Sequence, residues 1–137
     1  MPDDAVQSLA GLPYFIAFFG TALLLYTLCM ALHAALPPLR EFRLMREGNV
    51  AAAASLGGAL IGYAIPLARV LMVSESLTDM LLLSLAALGV QLAATAVPRL
   101  MMRPLIRNVE AGQLASGLFL AALAVAVGVL NAAAQTY

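Results

Sequence analysis

Lysine and tryptophan are absent from this 137-residue chain, and cysteine and histidine occur once each. Without lysine there is no phosphate-cradling glycine loop of the usual kind, which needs a Lys to reach the terminal phosphates. A single cysteine, Cys29, excludes an intramolecular disulfide. Cys29 and His33 lie one helical turn apart, but a zinc site needs three or four such ligands, so no metal and no cofactor is expected. His33 is expected at the membrane interface and Cys29 as a small buried apolar residue. Charge is scarce as well. Only 10% of residues are charged, seven Arg against seven Asp and Glu, where a soluble domain carries about 25%. The formal net charge is zero, so bulk attraction to nucleic acid is not expected.

What is present is apolar surface: 64% of the residues and a mean hydropathy of +0.98. A soluble domain this small keeps too much of its area exposed to hide such a composition, and a disordered chain would not carry it. An integral membrane protein remains. Four apolar runs span about residues 13–36, 49–73, 77–98 and 113–134. Each reaches the roughly 20 residues that cross a bilayer as a helix, and none alternates as a barrel strand would. The gaps are short, so neighbouring helices are antiparallel. The reading is all-α: one transmembrane domain over 1–137, a four-helix bundle. The acidic start, with Asp3 and Asp4, is unlike a cleavable signal peptide, so the first run is expected to stay.

Local signals set the boundaries. Pro37 and Pro38 should end the first helix. Asn49 after Gly48 suits an N-cap for the second, and Ser76 with Asp79 resembles a capping pair opening the third. Met102, Leu105, Ile106 and Val109, with charges between them, fit a short amphipathic helix on the inner face. Six of the seven Arg fall in two gaps: Arg40, Arg43 and Arg46 in one, Arg99, Arg103 and Arg107 in the other. By the positive-inside rule these gaps are cytoplasmic and both termini extracytoplasmic.

The two basic gaps are also alike. Residues 43–51 read RLMREGNVA and residues 107–115 read RNVEAGQLA. Aligning Gly48 with Gly112 aligns Arg43 with Arg107 and Asn49 with Gln113, and a helix rich in small residues follows each. The chain therefore reads as two helical hairpins repeated in parallel. In the second span Gly58 and Gly62 make a G-x-x-x-G pair, a packing face either within the bundle or between subunits; Ala124 and Gly128 form a weaker row in the fourth. Pro66 frees the Gly62 carbonyl and should kink its helix as a feature of the fold. Arg69 reads as the one charge inside a run, near the outer end, where it can snorkel or pair with Glu75 or Asp79. Asn131, Gln91 and Asn49 can bond across helices. No Asp or Glu lies mid-span, which weighs against proton-coupled transport.

Residues 46–68, REGNVAAAASLGGALIGYAIPLA, resemble the signature of the YjfL-like inner-membrane proteins, the domain of unknown function 350 family. The runs AGQLASGLFLAA (111–122) and VGVLNAAAQTY (127–137) resemble that family as well. Glu47, Gly48, Asn49, Gly58, Gly62, Tyr63 and Pro66 match its recurring motif by position. The resemblance implies a multi-pass protein of the bacterial inner membrane and supplies no catalytic residues. It also implies a partner set, since relatives tend to be encoded near ATP-grasp ligases and membrane-stress proteins. The expectation is a non-enzymatic, homo-oligomeric membrane component whose basic loops (Arg40, Arg43, Arg46, Arg103, Arg107) recruit a cytoplasmic partner or bind anionic lipid. A channel or small-solute transporter formed by an oligomer is the alternative, with Arg69 and Asn131 as its functional polar candidates. An enzyme built on Glu47 or Glu110 ranks last.

Overall fold

The computed structural model describes residues 2–36 and 39–135. The described residues form α1 (Pro2–Ala10), α2 (Leu12–Ala35), α3 (Glu41–Arg46), α4 (Val50–Val73), α5 (Leu77–Met101), α6 (Arg103–Glu110) and α7 (Leu114–Ala134). Among the described residues, the four helices long and apolar enough to cross a membrane are α1–α2 taken together, α4, α5 and α7. At 1.5 Å per residue the 24 residues of α4 reach about 36 Å, more than the ~30 Å hydrocarbon core. The architecture is the expected all-α membrane bundle, with two corrections to its edges. The N-terminal tail is itself helical: Pro2 starts α1 and Asp3 and Asp4 occupy its first turn, where carboxylates favour the positive helix end. And α5 runs through Pro98 to Met101, past the expected end at 98. The expected stop at Pro37 and Pro38 lies outside the described residues.

Side-chain caps open α4 and α5. Asn49 Oδ1 accepts from Ala52 N (3.0 Å) at the start of α4. Ser76 Oγ accepts from Asp79 N (3.1 Å), and Asp79 Oδ2 reaches back to Glu75 N (3.2 Å). The short helices α3 and α6 end in the same way. Gly48 and Gly112 adopt φ of 88° and 85°, the left-handed conformation that glycine takes without strain. Gly48 N donates to Met45 O and Asn49 N to Leu44 O; Gly112 N donates to Val109 O and Gln113 N to Asn108 O. Both are Schellman closures, which satisfy carbonyls that a helix end would leave open.

The centre of the bundle is the contact between α4 and α7. A Cβ added to Gly58 would strike Ala121, one on Gly117 would strike Ala51, and one on Gly62 would strike Ala124. The backbones are therefore in direct contact, the way helices associate in lipid, where burying Leu against Leu gains nothing over lipid. The contacts advance together along both helices, so α4 and α7 run parallel. The partners are 62 to 66 residues apart in sequence, and Gly48 and Gly112 are 64 apart. Gly128 faces the carbonyl oxygen of Gly62, the group that Pro66 deprives of its donor. Only glycine lets a Cα–H approach that oxygen closely enough to compensate it in part. The G-x-x-x-G face is thus spent inside the chain, and the Ala124–Gly128 row is its counterpart. By contrast α2 buries only Ala22, Cys29, Met30 and His33 and presents Phe15, Phe19, Leu23 and Leu24 outward.

Candidate functional site

Beneath the basic end of the bundle, five polar side chains from four elements meet out of contact with solvent. His33 comes from the last turns of α2, Glu41 opens α3, Tyr63 sits mid-way along α4, and Thr95 and Arg99 lie one turn apart on α5. All five are buried, with exposures from 0% (Glu41, Tyr63) to 7% (Thr95). Arg99 forms an ion pair with Glu41. Its Nη2 also lies 2.8 Å from His33 Nε2. His33 Nδ1 lies 3.0 Å from the Tyr63 hydroxyl, which is 2.9 Å from Thr95 Oγ1. Thr95 Oγ1 in turn lies 3.0 Å from the Gln91 carbonyl oxygen and 3.1 Å from that of Leu92.

Hydrogen-bond chemistry orients this chain of contacts. A guanidinium has donors only, so His33 Nε2 must accept from Arg99, which assigns the proton to Nδ1. Nδ1–H then donates to the Tyr63 oxygen, the Tyr63 O–H to Thr95 Oγ1, and the Thr95 O–H to the Gln91 carbonyl. Glu41 Oε1 and His33 Nε2, 3.1 Å apart, share the Arg99 donors. Two atoms stay outside the chain of bonds: Glu41 Oε2 and Arg99 Nη1 are buried without a partner among the described residues. A cavity of about 10 Å³ beside His33, Ser55, Thr95 and Arg99 is about the size of one water.

The arrangement corrects two expectations. Arg99 is not a loop residue that merely sets topology; α5 carries it past Pro98 and turns it inward, 3% exposed. His33 is not interfacial; at 1% exposure it is the centre of the chain of bonds. Arg69 is therefore not the only charge within a span. Glu41 carries no local signal, because it opens a short helix in a gap that reads as basic. The available signal was period: Ser84, Gln91, Thr95 and Arg99 are spaced seven, four and four residues apart, one face of α5.

The other candidate residues divide between packing and the basic rim. Gly58, Gly62 and Pro66 belong to the α4–α7 contact. Asn49 caps α4, and its Nδ2 donates to the carbonyls of Val109 (2.8 Å) and Glu110 (3.2 Å), fastening α6 to α4. Asn131 Nδ2 donates to Ala87 O (2.8 Å), across α7 and α5, as Gln91 Nε2 does to Ala124 O (2.9 Å). Arg69 Nε donates to Gln135 O (3.2 Å), so it holds the end of α7, and no ion pair joins it to Glu75 or Asp79. Gly48 closes α3, and Glu47 pairs with Arg43 (3.5 Å) on an exposed surface. Arg40, Arg46, Arg103 and Arg107 are also exposed. Arg40 and Arg43 line a 340 Å³ cleft with Leu44 and Glu110. Beneath this rim Leu39, Ile106 and Val109 are packed with Ala51, Ala52 and Leu120.

The profile described as Domain of Unknown Function (DUF350) matches residues 7–135, nearly the whole chain. The chain belongs to that family. It is 30% identical over 123 residues to the UPF0719 inner membrane protein YjfL of Escherichia coli strain K12, covering 90% of this chain and 93% of that protein. The protein of the same name from E. coli O157:H7 matches equally. No solved structure matches. The resemblance read from residues 46–68 is therefore correct, and with four apolar spanning helices the chain is a multi-pass inner-membrane protein. The motif residues turn out to have different tasks: Gly58, Gly62 and Pro66 shape the central contact, Gly48 and Asn49 build the α3–α4 corner, and Tyr63 joins the buried chain of bonds.

Proposed function

We propose that this protein is a non-enzymatic inner-membrane component that assembles with copies of itself and recruits an acidic cytoplasmic protein to its basic end. One observation carries the reading: the basic rim stands on helices pinned to the bundle. Glu41 ties α3 to α5 through Arg99, and Asn49 ties α6 to α4. With Leu39, Ile106 and Val109 buried beneath it, this end of the bundle presents Arg40, at the N-cap of α3, with Arg43, Arg46, Arg103 and Arg107 outward. Positioned charge gives partner selection and orientation. The positive-inside rule puts that rim in the cytoplasm and both termini outside. The family resemblance points to partners of the stress-response or ATP-grasp-ligase-associated kind. Self-assembly is read from the intact mass of the purified complex, which should be a multiple of the chain's own.

The test is mild affinity purification from native membranes, comparing wild type with an Arg43→Gln, Arg103→Gln, Arg107→Gln variant. These side chains are exposed, so thermal stability should not change, and Arg40, Arg46 and Arg99 remain to orient the chain, which is checked by mapping the termini in the variant. Loss of a stoichiometric soluble protein from the variant is expected; equal recovery would sink the reading.

A second reading has its own support. The row Ser84, Gln91, Thr95 and Arg99 is buried, and Ser84 Oγ and Gln91 Oε1 have no partner among the described residues. Buried polar groups within a span favour passage of a proton or small ion. Against it, the cavity beside this row has room for about one water. Proton flux into liposomes that falls in Tyr63→Phe would favour this second reading, and an impermeable wild type would remove it.

A further inference from the structure

One groove is separate from both the buried chain of bonds and the Arg40–Arg43 cleft. It has a volume of about 330 Å³, and Tyr26, Met30, Ala34, Leu56 and Leu60 of α2 and α4 line it together with Phe42 of α3. It follows α2 from Tyr26 to Ala34, eight residues or about 12 Å, within a span, so it opens toward hydrocarbon. Tyr26 does not offer its hydroxyl to an occupant: it donates to Leu60 O at 2.6 Å. Thr27, the other polar residue of the lining, donates its hydroxyl to Leu23 O at 2.7 Å, so the groove is apolar with both hydroxyls already satisfied, which suits an alkyl chain.

The groove ends at the basic end under Phe42. On α3, Glu41 and Met45 face the bundle, and Arg43 turns aside to pair with Glu47. Phe42 lines the groove, and Arg46, one turn further along α3, shares its face. Arg46 is exposed and enters no ion pair among the described residues. An apolar slot that lies in the hydrocarbon and stops beneath an unpaired guanidinium has the polarity of an anionic phospholipid: alkyl chain below, phosphate above.

We propose that the α2–α4 groove binds one acyl chain of an anionic phospholipid whose phosphate is held by Arg46. The Arg46 charge favours this occupant over a second copy of the chain, because the outward face of α2 offers no acidic side chain to meet it. The proposal does not depend on partner recruitment, which Arg43, Arg103 and Arg107 test.

The experiment is native mass spectrometry of the detergent-purified full chain, titrated separately with dioleoyl phosphatidylglycerol and dioleoyl phosphatidylcholine. Wild type should retain one phosphatidylglycerol per chain in preference to phosphatidylcholine. Arg46→Gln should lower that preference about fivefold, the effect of one basic residue at an anionic membrane surface. Ala31→Phe, which fills the groove from an exposed position on its wall, should abolish retention of both lipids without changing the thermal stability. Equal retention of the two lipids by wild type, or full retention by Ala31→Phe, would overturn the assignment. So would Ala31→Phe converting a dimer to a monomer, since the occupant would then be a second copy.

Discussion

The α4–α7 contact and the polar cluster at the basic end hold the same bundle together by opposite means. At the centre, Gly58, Gly62, Gly117 and Gly128 remove side chains so that backbones touch. At the basic end, His33, Glu41, Tyr63, Thr95 and Arg99 reach across wider gaps and join α2 and α3 to α4 and α5 by directed bonds. In lipid, apolar burial contributes little to helix association, so either close van der Waals contact or hydrogen bonding must take over. The parallel inner pair uses the first. The peripheral α2, which buries four residues, depends on the second.

Breaking each region separately should show that difference. The largest effect is expected from Arg99→Met. It leaves the Glu41 carboxylate buried without its partner, which costs about 3–5 kcal/mol, read as a lowered unfolding temperature in detergent. Adding Glu41→Gln to Arg99→Met should recover most of the loss, because no unpaired charge then remains; a double variant no better than the single one would show that packing, not charge, links α3 to the bundle. Gly128→Ala comes next. Its methyl would meet the Gly62 carbonyl, and overpacking of this kind costs about 1–3 kcal/mol. It should act on α4–α7 alone and leave cross-linking between cysteines introduced on facing positions of α2 and α3 unaffected; an accompanying loss of that cross-link would mean the two regions form one cooperative unit. Asn131→Leu is the mildest. Its bond to Ala87 is a single interhelical hydrogen bond in a membrane, worth about 0.6 kcal/mol on average, and a loss several times larger would place Asn131 in a network rather than a pair.

The legibility of these two regions in the sequence also differs. Gly58 and Gly62 could be read because their spacing is local, and Pro66 named the carbonyl it would free. What spacing could not say was which helix would meet that face; α7 with Gly128 settles it. The capping residues Asn49 and Ser76 were equally local, and both accept the bonds their types predict. The polar cluster is not legible in the sequence, although each of its members is visible. Arg99 lies one residue past Pro98, a plausible helix end, and it adds to a basic gap that needed no other explanation. Glu41 lies in the opposite gap, 58 positions earlier. His33 had no second ligand near it in sequence, so an interfacial place was the simpler reading. Nothing within one segment indicates that these three share a site.

Composition and pattern alone determined the solvent, the four crossings, the basic end and the family, because hydropathy, charge and caps act over one segment at a time. The tertiary structure decided that the glycine face is used within the chain, that α3 is pinned rather than free, and that Arg99 and His33, 66 residues apart, share a hydrogen bond. Those outcomes depend on how segments distant in sequence fit together: on backbone approach at α4–α7, and on the strong cost of leaving a buried charge without its partner.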